Sequence, residues 1–364
     1  MMNALSPEEN EKVTFKLRSL YASYGYSHYK MSKFEEYDLY SKNKDFLVSD
    51  GVITFTDTNG KLMALKPDVT LSIVKNTEKT SSPLQKLYYN ENVYRVSKST
   101  RSFKELMQVG LECIGDVDGF CVFEVLTLAL KSLKTISENC ILDVSDLDIL
   151  MQVLDYAGIP ENERGEVFRL IGEKNVHEMT AKCRALGADE EKIDLLRELI
   201  LLHGTPDAVF AAADGLLNGV ADEKTYSGFK STVSMLEDKS LVNIDFSVTS
   251  DIGYYNGIVF KGFVNGVPNS VLSGGQYDAL MRKMKRRSGA VGFAVYVDML
   301  EQLFTGGSEY DTDCVLLYSD KDSFADVQTS ADELRKAGES VLVLKKVPEN
   351  LRYGRLITYG GGNG

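Results

Sequence analysis

Apolar positions Val13, Phe15, Leu17, Leu20 and Tyr21 form one face of a helix. Ser6-Pro7-Glu8-Glu9 predicts its start and Gly25 its stop. From Tyr26 to about Ala64 the pattern shortens to strands. Residues 50–65, DGVITFTDTNGKLMAL, alternate around Asn59-Gly60, which predicts a hairpin on a type I′ turn. A helix restarts at Thr70 after Pro67. Two longer strands follow, QKLYYNENVYRV and LMQVGLECIGD, separated by the polar loop SKSTRSFK. Residues 119–138 then place Phe120, Phe123, Leu126, Leu130 and Leu133 on one helix face, and a strand is expected near Cys140–Val144.

From about 145 to 238 the chain reads as mostly helical, punctuated at Gly158-Ile-Pro160 and His203-Gly-Thr-Pro206, and about 160–225 is expected to be a helical insertion. Strands return over 241–300. After Gly306-Gly307 a small α/β piece follows: a strand at CVLLYS, a helix at FADVQTSADELRKAG and a strand at SVLVLKKV. The expected domains are therefore 1–304 and 308–364. The fold class is α+β, an antiparallel sheet flanked by helices.

Composition narrows the function. Lys and Arg total 41 against 53 for Asp and Glu, a formal charge of −12, so nucleic acid could be held only by a local basic patch. Arg282-Lys-Met-Lys-Arg-Arg287 is the one such cluster, read mainly as a solvated loop. No run of apolar residues is long enough to cross a membrane, and the acidic start MMNALSPEENEKV is unlike a secretory or transit signal, so a cytoplasmic protein is expected. The five cysteines (113, 121, 140, 183, 314) are scattered, without a CxxC pair, and fit reduced thiols packed as small hydrophobes. The three histidines are not spaced for a metal, and no cofactor is expected.

There is no GxxxxGK[ST], HExxH, GxSxG or helix-opening GxGxxG. Four segments remain, each with an ordinary structural explanation beside the chemical one. In Leu65-Lys66-Pro67-Asp68-Val69-Thr70, Asp68 and Thr70 could cap a helix or hold an ammonium group. The strand Tyr88–Arg95 ends on an arginine able to grip a carboxylate or phosphate, or to make a surface ion pair. Gln108, Gly110 and Glu112 share a strand face, which is either a solvated face or a polar wall with room for a ligand at the glycine. Ile252-Gly-Tyr-Tyr-Asn-Gly257 and Ser273-Gly-Gly-Gln-Tyr-Asp278 supply tyrosines and glycines for either a core or a close-fitting pocket wall.

In this order the four segments resemble the catalytic core of the histidyl-tRNA synthetase family, a class II synthetase-type fold. Tyr94-Arg95-Val96-Ser97 is similar to the family's FRxE-type motif, and Gln108–Glu112 to its QxGxE stretch. Ser250-Asp-Ile-Gly-Tyr-Tyr255 and Gly274-Gly-Gln-Tyr-Asp278 resemble its RGLDYY and GGRYD segments. Gly292-Phe-Ala-Val-Tyr-Val-Asp-Met299 resembles its closing GFAxGxER. The likeness runs over about 7–304 and is thin from roughly 140 to 240.

The resemblance implies histidine-binding residues at Asp68, Thr70, Arg95, Gln108, Glu112, Tyr254, Tyr255 and Tyr277, with pocket backbone at Gly110, Gly274 and Gly275. Asp68, Thr70 and Gln108 would hold the α-ammonium, Glu112 and Tyr255 the imidazole, and Arg95 the carboxylate. The departures lie on the nucleotide side: Ser97, Ser250 and Met299 stand where the family has a glutamate and two arginines. Losing such charge-stabilising groups makes adenylation implausible, since one donor is typically worth about 10²–10³ in rate. From 305 to 364 there are seven bases against ten acids, a poor footprint for tRNA. A retained amino-acid pocket without the arginines resembles the regulatory subunits of ATP phosphoribosyltransferase. That resemblance implies a non-catalytic homodimer that assembles with a short-form catalytic subunit and senses L-histidine. A divergent active synthetase and a tRNA sensor are the rival expectations.

Overall fold

The computed structural model describes residues 9–43, 51–77, 83–96, 102–249, 254–303 and 310–360. The chain separates into two compact units, residues 12–302 and residues 303–364 together with 1–11. The expected helix start at Ser6-Pro7, the loop at 97–101 and Ser250 lie outside the described residues.

The larger unit is built on a sheet whose strands arrive in an interleaved order. Helix α1 (Glu9–Ser23) precedes β1 (Ser27–His28). A small antiparallel sheet comes next, from β2 (Phe34–Glu36), β3 (Thr54–Thr56) and β4 (Leu62–Leu65), with α2 (Tyr37–Ser41) between the first two. The β3–β4 hairpin forms, but without the type I′ turn. Among the pair expected to take positive φ, only Gly60 does so, at +80°. Asp57 explains the difference: its Oδ1 accepts from Asn59 N at 2.9 Å and Lys61 N at 2.8 Å, closing a longer loop on a side chain.

After α3 (Thr70–Asn76), β5 (Leu84–Val96) and β6 (Phe103–Gly115) pair antiparallel along their full length. Helix α4 (Gly119–Ile136) starts where the Asp118 side chain accepts from Cys121 N, and leads to β7 (Cys140–Asp146). Six helices and a short strand follow. They are α5 (Leu147–Tyr156), α6 (Glu161–Gly172), α7 (Val176–Ala185), α8 (Glu190–Leu201), β8 (His203–Gly204) and α9 (Pro206–Leu216), then α10 (Glu223–Ser234). The unit closes through β9 (Val242–Asp245), β10 (Asn256–Val264), β11 (Leu272–Gln276), α11 (Asp278–Lys283) and β12 (Gly289–Tyr296).

Among the described residues these strands make a nine-stranded sheet in the order β1-β5-β6-β12-β11-β10-β7-β9-β8, antiparallel except for β1–β5 and β7–β9. The order places β6 beside β12, so two segments almost two hundred residues apart become neighbours. Helix α4 packs on one face. Its Leu133 lies where a side chain at Gly262 of β10 would point, and its Ser132 bonds Tyr21 of α1 at 3.0 Å. The apolar stripe predicted for α4 is buried at Leu126, Leu130 and Leu133, with Phe120 left exposed at the first turn. The other face carries the polar residues taken up below.

The smaller unit has β13 (Thr312–Leu317), α12 (Phe324–Lys336), β14 (Val341–Leu344) and β15 (Tyr353–Thr358), in the parallel order β14-β13-β15. The third strand was not expected from the sequence. The five cysteines are buried and unlinked. Among the described residues no helix is long and apolar enough to cross a membrane.

Candidate functional site

The site begins with a docked segment. Lys66 is fully buried and pairs with Glu91 of β5, whose other oxygen accepts from Met31 N at 3.2 Å. Beside that ion pair, Tyr94 N donates to Lys66 O at 2.9 Å and Arg95 Nε donates to Pro67 O at 3.0 Å. The backbone at 66–67 is thus fastened to β5, and α3 starts at a fixed place against the sheet. Asp68 Oδ1 accepts from Leu71 N at 2.8 Å in the first turn of α3, so the capping explanation of Asp68 is correct. Its carboxylate also lines the pocket, so the two explanations do not compete.

Glu112 is at the centre. It is 2% exposed, on β6, and its Oε1 accepts from Thr70 Oγ1 at 2.6 Å while Oε2 accepts from the Tyr277 hydroxyl at 2.6 Å. Burial pushes its carboxyl up to about 8, against the two hydroxyl donors that favour the ionised form. Register gives the carboxylate its space. Gly292 of β12 sits opposite Glu112, and a Cβ there would stand 1.9 Å from Oε2. Tyrosines wall the rest. The rings of Tyr254 and Tyr255 lie 4.7 Å apart and those of Tyr254 and Tyr277 5.8 Å apart, and burial raises the Tyr89, Tyr254 and Tyr277 hydroxyls well above the usual range.

Asp68, Thr70, Arg95, Gln108, Glu112, Tyr254, Tyr255 and Tyr277 all line this one pocket. They come from five stretches of the chain. Tyr89, Ser273, Gly292 and Tyr296 line it too and were not singled out beforehand. Alternation along β12 would have pointed to Tyr296 beside Ala294. Gly292 is legible only once β6 and β12 are known to pair.

The glycines expected to leave room for ligand differ from that expectation. A Cβ at Gly110 would meet the Tyr89 hydroxyl at 2.5 Å, one at Gly274 Phe293 at 2.4 Å, and one at Gly275 Tyr255 at 2.9 Å. The protein's own side chains use that space, so these glycines shape the wall from behind. Met299 is half-buried in the turn after β12, where neighbouring Asp298 Oδ2 accepts from Met107 N at 2.7 Å. The closing segment is therefore tied to β6.

A nine-stranded, largely antiparallel sheet carrying an amino-acid-sized polar pocket on one face defines a class II aminoacyl-tRNA synthetase-type protein. Residues 4–300 match the family model described as Histidyl-tRNA synthetase, and the chain belongs to that family. A relative from Oceanobacillus iheyensis called ATP phosphoribosyltransferase regulatory subunit is 25% identical over 336 residues, 90% of this chain and 82% of that protein. The fold is shared with a Bacillus halodurans structure described as an ATP phosphoribosyltransferase regulatory subunit/histidyl-tRNA synthetase. Its TM-score is 0.74 at 24% identity, covering 96% of this chain and 93% of that one. It is also shared with a chain of an ATP phosphoribosyl transferase complex from Thermotoga maritima, at TM-score 0.63 and 20% identity, covering 81% of this chain and 98% of that one.

Proposed function

We propose that this chain is a cytoplasmic, non-catalytic regulatory subunit that binds L-histidine and controls a short-form ATP phosphoribosyltransferase catalytic subunit, as a homodimer within a hetero-oligomer. The observation that carries the reading is a buried carboxylate, Glu112, gathered with seven other polar and aromatic residues into one pocket of a synthetase fold. The Met at 299 and Ser at 250, where the family resemblance places arginines, leave that pocket without the charge stabilisation adenylation needs. The relatives named as regulatory subunits support the same reading.

In this reading Asp68, Thr70 and Gln108 receive the α-ammonium, and Arg95, held at the Pro67–Asp68 end, meets the carboxylate. Glu112 and Tyr255 face the imidazole. Thr70 donates to Glu112, so the ammonium and imidazole ends share a hydrogen-bonded link. An aliphatic side chain would desolvate the polar groups of Glu112 and Tyr255 further and offer them no hydrogen bond in return, and so would be rejected. Histidine binding by one quaternary state over another would supply a coupling energy of about 1–3 kcal/mol to the partner.

Calorimetric titration of the chain, alone and with the catalytic subunit, tests this. Saturable binding of histidine but not leucine is expected. No histidine binding in either form would end the reading.

A further inference from the structure

Past the ligand pocket, the same face of the sheet carries a lysine with no role so far. Lys261 lies on β10, an interior strand. Its neighbour Gly262 turns toward Leu133 of α4, so alternation turns Lys261 to the opposite face, the one that bears Glu112. Cross-strand register fixes its surroundings: Ser273 of β11 is opposite on one side and Asp143 of β7 on the other. Asp143 instead takes a 2.9 Å hydrogen bond from Asn243 Nδ2, and among the described residues the Lys261 side chain makes no ion pair or hydrogen bond.

Lys261 lines a cleft of about 170 Å³ with Ser270, Ser273, Tyr255 and Tyr296. Three of those, Tyr255, Ser273 and Tyr296, also line the main pocket. The Ser273 and Tyr296 hydroxyls bond each other on the shared wall. One ammonium and a hydroxyl pair beside a cavity that opens from an amino-acid pocket form a recognisable arrangement. It offers charge and donors to an oxyanion and no carboxylate of its own on the cleft wall.

We infer that Lys261, with Ser273 and Tyr296, forms an oxyanion subsite continuous with the ligand pocket, taking the carboxylate or phosphate borne by the bound imidazole amine. The inference rests on the histidine reading and goes beyond it, because there Arg95 alone meets the acid group. A partly buried lysine with no protein partner gains most from such a ligand, since a charged hydrogen bond is worth about 1.5–3 kcal/mol, or roughly tenfold to a hundredfold in affinity.

The test uses the full chain and three probes: histidine, histidinol phosphate and histamine, which lacks an anion. In the wild type both anionic probes should bind at least about tenfold tighter than histamine. Lys261→Met should abolish most of that preference while leaving histamine affinity unchanged, and Lys261→Arg should restore it. Loss for only one anionic probe assigns the subsite to that anion. A preference that survives Lys261→Met and disappears in Arg95→Met overturns the subsite while leaving the histidine reading intact. Failure of the wild type to bind histidine at all overturns both.

Discussion

Glu112 combines a structural liability with a binding asset. Its folded carboxyl stands at about 8 against an ordinary 4.5, so its contribution to stability is fully present below the lower value and is lost as pH rises through the upper one. Glu112→Gln removes that titration. The ligand-free melting temperature of the wild type should therefore fall relative to the variant between about pH 5 and about pH 9. Differential scanning calorimetry at several pH values reads the difference, and parallel curves would contradict the assignment. Above about pH 8, where Glu112 is ionised, the same variant should bind histidine about tenfold to a hundredfold more weakly, the range expected for a hydrogen bond to a charged group. Gly292→Ala attacks the site from the facing strand. A methyl group 1.9 Å from Glu112 Oε2 and 2.4 Å from Leu111 O forces one of them to move, for a cost of about 1–3 kcal/mol seen in chemical denaturation, together with loss of histidine binding. Glu112 was readable in the sequence because it shares one strand face with Gln108 and Gly110, opposite the apolar Val109, Leu111 and Cys113; Gly292 was hidden because its role depends on a pairing between distant strands.

Helix α3 and the segment before it show what local sequence can and cannot settle. Pro67 and Thr70 announced the helix, and it begins at Thr70. What the sequence left open was whether Asp68 caps or binds; the structure has it bonded to Leu71 N while lining the pocket. Two substitutions separate the roles. Asp68→Asn keeps an acceptor for Leu71 N and should hold the melting temperature while weakening histidine binding. Asp68→Ala should lose both, at about 1 kcal/mol of stability. Equal affinities for Asp68→Asn and the wild type would confine Asp68 to capping. The β3–β4 hairpin was legible as an element but not as a turn, because Asp57 outcompetes the Asn-Gly preference by bonding two backbone amides. Strand β15 escaped notice because its six residues, Tyr-Gly-Arg-Leu-Ile-Thr, hold a glycine and an arginine and show little alternation.

For the molecule as a whole, the mostly antiparallel sheet and the flanking helices follow from strand and helix periods that local reading captures. The order of the strands does not, since pairing β6 with β12 depends on contacts between residues far apart in the chain. Eight of the residues that line the pocket were nonetheless named in advance, through the ordered family motifs rather than through any of the segments alone, whereas Tyr89, Ser273, Gly292 and Tyr296 were not. The central claim is that this pocket senses histidine for a partner enzyme and does not activate it. The direct measurement is phosphoribosyl transfer by a short-form catalytic subunit, with this chain added and histidine varied. Activity should depend on the chain, fall as histidine rises, and no longer respond to histidine when the chain carries Glu112→Gln. Activity indifferent to the chain, with histidine-dependent pyrophosphate exchange by the chain alone, would contradict that claim.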